Sequence, residues 1–119
     1  MNRLELKKVK KARRKAHIRK RVVGTAARPR LTVFRSARYI YVQAIDDEQG
    51  HTLAAASNRE KALGEIRSTV AGGGELGQVI GRRLKEKNIG KVVFDRNGFA
   101  FHGVVKAIAD GARKAGVEF

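Results

Sequence analysis

The sequence predicts an α/β domain, a mixed sheet of βββαβα order with helices packed on it, preceded by a basic N-terminal arm. Three observations carry that prediction. Charge is concentrated at one end of the chain, apolar residues alternate with a period of two between positions 31 and 56, and helical spacing then takes over apart from a short apolar run at 91–95.

The chain has 119 residues, with 27 Lys+Arg against 11 Asp+Glu and a formal net charge of +16. Residues 1–30 hold 13 basic side chains and one acid, Glu5, for +12, and residues 31–119 hold 14 basic and 10 acidic, for +4. A block of like charge repels itself unless an anion neutralises it, so the expected partner is a polyanion. The absence of cysteine excludes a disulfide framework, a cysteine nucleophile and zinc-finger thiolates. No run approaches the roughly 18 apolar residues needed to span a bilayer, so no membrane association is expected. The N-terminus lacks the apolar core of a secretory signal, and a Lys-rich stretch without serine at 1–21 fits a transit peptide poorly.

The elements follow in order. Apolar residues in 1–21 are sparse and form no wide stripe, so the arm, residues 1–28, is expected to be largely disordered alone and to bind RNA. Gly24, Arg28 and Pro29 punctuate the entry to a single domain over 29–119. Leu31 and Val33 alternate with Thr32 and Phe34 in a first strand, and Ser36-Ala37-Arg38 turns into a second at 39–45. Asp46 to Gly50 is a polar loop in which Asx chemistry accounts for the two aspartates, and 51–56 is a third strand, completing an antiparallel meander. Ser57 and Glu60 have capping-box spacing, which predicts a helix through Leu63, Ile66 and Val70. Gly72-Gly73-Gly74 then reads as a link to a second helix bearing Leu76, Val79, Ile80 and Leu84, which Asn88 and Gly90 end. An interior strand at 91–95, a turn at Arg96-Asn97-Gly98 and a last helix with Val104, Val105, Ile108, Ala109 and Ala112 on one side complete the domain. Gly116 suits the position after that helix, with Phe119 folding back.

Several motifs invite catalytic or cofactor readings. Residues 72–77, GGGELG, match G-x-G-x-x-G, but no strand precedes them and no Lys-Ser or Lys-Thr follows, so neither a dinucleotide site nor a P-loop is expected. His17, His51 and His102 lack metal-ligand partners at useful spacing. Asp95 with Asp46, Asp47 and Asp110 is the one set that would suit a metal-dependent nuclease. Asp110 lies three residues before Arg113 in a helix, however, where an ion pair is the simpler account.

The positive signals concern nucleic acid. The arm offers Lys10, Lys11, Arg13, Arg14, Lys15, His17, Arg19, Lys20 and Arg21, followed by Arg28. Arg35, Arg38, Tyr39 and Tyr41 bring guanidinium groups and rings to the first hairpin, where Arg can fork onto phosphate and Tyr can stack. Arg96, Asn97, Phe99, His102 and Lys106 form a second patch at a helix start, where amide groups attract phosphate. A general basic RNA chaperone would share these features.

Three stretches resemble one family. They are RPRLTVFRSARYIYVQAID beginning at Arg28, HTLAAAS at 51–57, and FDRNGFAFHGVVKAIADGARKAGVEF at 94–119, and they are similar to bacterial large-subunit ribosomal protein eighteen. The resemblance implies a ribonuclease-H-like topology without catalysis, in a cytoplasmic ribosome component with no cofactor and no small-molecule substrate. It implies binding to 5S ribosomal RNA in the central protuberance, beside another 5S-binding protein and the large-subunit ribosomal RNA. Carried over by position, the implied RNA-contacting residues are the arm basics, Arg30, Arg35, Ser36, Arg38, Tyr39 and Tyr41, then Arg96, Gly98, His102 and Lys106. Phe101 and Val104 stand where the family commonly has tyrosine and arginine.

Overall fold

The alternation in the first half of the chain builds a sheet with one buried and one open face. The structure is a computed structural model and describes residues 23–119. Strands β1 (Arg30–Arg35), β2 (Ile40–Asp46) and β3 (His51–Ser57) form the antiparallel meander, and β4 (Val93–Asp95) joins the other edge of β1 in parallel. The sheet order is therefore β3-β2-β1-β4. A parallel neighbour needs a crossover, and helix α1 (Val70–Glu86) supplies it before α2 (Gly103–Lys114) closes the domain. This is the predicted βββαβα mixed sheet.

Leu31, Val33, Ile40, Val42, Ala44, Ala54 and Ala56 are buried in one cluster with Leu76, Ile80 and Leu84 of α1 and Val104, Val105, Ile108 and Ala112 of α2. Both helices thus cover the same face of the sheet. The residues between, Thr32, Phe34, Tyr41, Gln43 and Ile45, stay partly or fully accessible on the opposite face. The last helix ends as Gly116 predicts. Its φ is 104°, the Gly116 amide donates to the Arg113 carbonyl at 3.0 Å, and the Val117 amide donates to the Ala112 carbonyl at 3.2 Å. Phe119 folds back to stack on Phe94 with ring centroids 5.6 Å apart.

Two expectations for the middle of the chain are corrected. The capping-box residues do meet, because the Ser57 amide donates to Glu60 Oε2 at 2.9 Å and the Arg59 amide to Ser57 Oγ at 3.1 Å. They close a turn, however, and only a 3-10 segment, Lys61–Leu63, follows instead of a helix. Asn58 explains the diversion. Its side chain accepts from the Ile40 amide at 3.0 Å and donates to the Arg38 and Ile66 carbonyls at 2.9 and 3.0 Å, drawing 58–66 across the end of the sheet.

The glycine run is likewise no link. Thr69 caps α1 by accepting from the Gly72 amide at 3.1 Å, and Gly72-Gly73-Gly74 are its first turns. Gly73, Gly77 and Gly81 recur every four residues on the side that meets α2. A Cβ on Gly77 would collide with the Ile108 carbonyl, and one on Gly81 with the Ala115 methyl group. The two helix backbones approach so closely that only hydrogen fits between them.

The outer edge of β3 is covered as well. Arg83 of α1 donates to the Ala55 carbonyl at 2.6 Å, and Lys87 Nζ donates to the Leu53 carbonyl. Carbonyls that would template another strand are thereby occupied.

Candidate nucleic-acid interface

The first hairpin is held from behind and left free in front. Ser36 closes its turn, with the Ser36 amide donating to the Tyr39 carbonyl at 2.8 Å and the Tyr39 amide to Ser36 Oγ at 3.1 Å. Ser68 Oγ donates to the Ser36 carbonyl at 2.7 Å, and Asn58 holds the Arg38 carbonyl. The backbone is pinned, while Arg35, Arg38 and Tyr39 stay exposed. Ser36 therefore shapes the hairpin.

Arg59, which sequence reasoning passed over, completes this patch. Its guanidinium lies 4.8 Å from the Tyr39 ring centroid, and Nη1 donates to the Tyr41 hydroxyl at 3.2 Å. Tyr41 in turn meets Phe34 edge to face at 5.9 Å, as cross-strand partners in the β1–β2 register. Phe34 is 46% exposed and meets Phe99 at 6.1 Å. The row Arg59–Tyr41–Phe34–Phe99 joins the two predicted patches across the open sheet face. Phe34 was legible as the outward residue of β1. Arg59 was not, because its stretch carried the signature of a helix start.

At the Arg96 turn, Asn97 and Gly98 adopt left-handed φ values of 54° and 77°. The Asn97 amide donates to Asp95 Oδ1 at 2.8 Å, and Arg96 Nη1 donates to the Phe99 carbonyl at 3.1 Å. Gly98 is buried, so its part is to let the turn close. His102 stands at the N-cap of α2 without a side-chain capping bond, and no acid lies in the first turn. His102 and Lys106 are both exposed there, and the free amide groups of a first helical turn favour an anion. Of the two departures from the family pattern, Val104 is buried in the core and Phe101 is 42% exposed, packed edge to face on Phe94 at 5.6 Å.

Arg30 is placed differently from its neighbours. It is 9% exposed, and its guanidinium donates from Nη1 to Asp95 Oδ2 at 2.8 Å and from Nε and Nη2 to the two oxygens of Asp47, each at 3.0 Å. The hydrogen bond with Asp47 outweighs desolvation and holds this guanidinium more firmly charged than a free arginine. Asp95 is thus engaged by Arg30 and the Asn97 amide, and Asp46 accepts from the Glu48 and Gln49 amides at 3.0 and 3.3 Å. Asp110 pairs with Arg113 at 3.7 Å. Among the described residues, no three His, Asp or Glu side chains gather where they could hold a metal ion. No helix among them is long and apolar enough to cross a membrane. The arm residues from Lys10 to Arg21 lie outside the described residues, whereas Arg28 is exposed on a turn in which its amide donates to Thr25 Oγ1 at 3.1 Å.

Comparison with known proteins settles the family. The model of ribosomal L18 of archaea, bacteria, mitochondria and chloroplast matches residues 5–119. The chain belongs to this family. It is 60% identical over 110 residues to large ribosomal subunit protein uL18 of Treponema denticola, covering 92% of each chain. It is 53% identical over 118 residues to uL18 of Thermotoga petrophila, covering 97% of each. With uL18 of Dictyoglomus thermophilum it shares 51% over 121 residues, covering 99% of this chain and 96% of the relative. This L18-family chain is a structural constituent of the large ribosomal subunit and not an enzyme. The L18 assignment accounts for the strongly basic charge of the chain.

Proposed function

We propose that the chain binds 5S ribosomal RNA and helps to attach it to the large-subunit ribosomal RNA in the central protuberance, beside another 5S-binding protein. Residues 1–28 form the basic arm in this reading, and the domain over 29–119 reads the shape of the RNA. The observation that carries the proposal is the cationic and aromatic row on the open sheet face, Arg59–Tyr41–Phe34–Phe99 with Tyr39, flanked by Arg35 and Arg38. Its parts suit unpaired bases and phosphates in a folded RNA, with each stacked base contributing about 1–3 kcal/mol. Arg96, His102 and Lys106 extend the contact at the start of α2. Arg30, Ser36 and Gly98 act by holding those side chains in place.

The test is a competition gel shift at moderate salt, with labelled 5S ribosomal RNA against unrelated structured RNAs of similar length. Preference for 5S, reduced by Arg38→Ala and by Arg59→Ala more than binding to duplex DNA is reduced, supports the proposal. Equal competition by all RNAs would make the chain a general basic RNA binder instead.

A further inference from the structure

The chain enters the fold at a point fixed by an acidic residue. The Gly24 amide donates to Asp47 Oδ2 at 2.7 Å, and the Asp47 amide donates to the Gly24 carbonyl at 2.9 Å. The same carboxylate accepts from Nε and Nη2 of Arg30, each at 3.0 Å, and Arg30 is anchored beneath by Asp95. Gly24 is buried so tightly that an added Cβ would collide with the Arg30 amide nitrogen and the Ile45 carbonyl. Immediately before this clamp comes the stretch that, with Arg28 and Arg30, carries +12 of the net charge.

An acid at the root of such a stretch opposes phosphate binding by its charge, so its presence needs another reason. Asp47 lies in the loop after β2 and takes no part in the apolar core. Among the described residues its bonds include those to Gly24 and Arg30, which lie where the chain enters the sheet. We propose that Asp47 is a positioning residue for RNA binding, fixing the chain at Gly24, next to the basic stretch that precedes it; this rests on the reading of that stretch as part of an RNA-binding arm. Fixing the root in advance removes ordering cost that binding would otherwise bear, because each backbone residue ordered on binding subtracts from affinity.

The experiment uses the full chain and 5S ribosomal RNA in salt titrations. Asp47→Asn and Gly24→Ala are each made with the native arm and with Lys10, Lys11, Arg13, Arg14, Lys15, Arg19, Lys20 and Arg21 changed to Gln. Thermal unfolding confirms that each variant is folded. Asp47→Asn adds a unit of positive charge to +16, so charge alone strengthens binding. The clamp predicts the reverse: about tenfold weaker binding and a shallower salt slope with the native arm, and less than a twofold change with the Gln-substituted arm, which before Gly24 keeps only Arg3, Lys7 and Lys8 of its lysines and arginines. Gly24→Ala, which leaves the charge untouched, gives the same pattern if it folds; Asp47→Asn decides the matter without it. Equal losses in both backgrounds, or unchanged or tighter binding with the native arm, overturn the inference. If the native-arm and Gln-substituted-arm parents bind alike, the reading of the arm fails first and takes this inference with it.

Discussion

Glu60 shows how one side chain ties together parts that the sequence keeps apart. It accepts from the Ser57 amide and receives a two-pronged bond from Arg83 at 2.9 and 3.0 Å. The Arg83 hydrogen bond, ahead of the Ser57 amide, holds its carboxyl below the ordinary glutamate range. The folded state therefore favours the ionised form. Its stabilising share is complete above about pH 4.3, the ordinary glutamate value, and is lost as pH falls through the lower folded value. Both partners are a third or more exposed, so that share is under about 1 kcal/mol. Glu60→Gln should therefore lower the melting temperature at pH 7 and lower it less at pH 3. An equal deficit at both values would assign the effect to packing instead. Glu60 was visible in the sequence as half of a capping box, but its partner Arg83 was not, because nothing local indicates that α1 returns across β3.

The helix pair is the element whose behaviour depends most on residues without side chains. Gly77 faces the Ile108 carbonyl, while a Cβ on Gly74 would meet nothing within 4 Å. Gly77→Ala should cost about 3 kcal/mol through overpacking. Gly74→Ala should gain up to about 1 kcal/mol through better helix propensity. Urea unfolding of the two variants against the parent measures both, and a loss at position 74 would contradict the geometry. The spacing of Gly73, Gly77 and Gly81 was present in the sequence. Three consecutive glycines outweighed it locally, since a helix interior normally disfavours them. Only the partner helix, with Val104, Ile108 and Ala112 against that face, offsets the propensity cost. The strands were easier to read. Period-two alternation at 31–45 is a local signal, and it specified both the meander and the outward position of Phe34.

For the molecule as a whole, the division of charge sets the expected binding behaviour. If the arm makes about 6 phosphate contacts, affinity for 5S ribosomal RNA should fall roughly 10³-fold between 50 and 200 mM salt. Changing the eight arm lysines and arginines from Lys10 to Arg21 to Gln should flatten that slope, and an unchanged slope would move the anchor to the sheet face. The arm and the hairpin basics were legible as charge in the sequence. What remained hidden was which charges are committed: Arg30 stands between exposed candidates in the chain, yet Asp47 and Asp95 enclose it. Its second partner is 65 residues distant, beyond the reach of any local pattern.

That distance has a consequence for synthesis. The parallel partner of β1 is β4, and the residues that build α1 must be made between them. At about 5–20 residues per second, several seconds pass after β2 has been translated before Asp95 is added. During that interval the meander can pair, but one edge of β1 is bare and the buried guanidinium of Arg30 has only Asp47. The root of the arm is therefore completed late, by a strand of three residues, while the arm itself is made first.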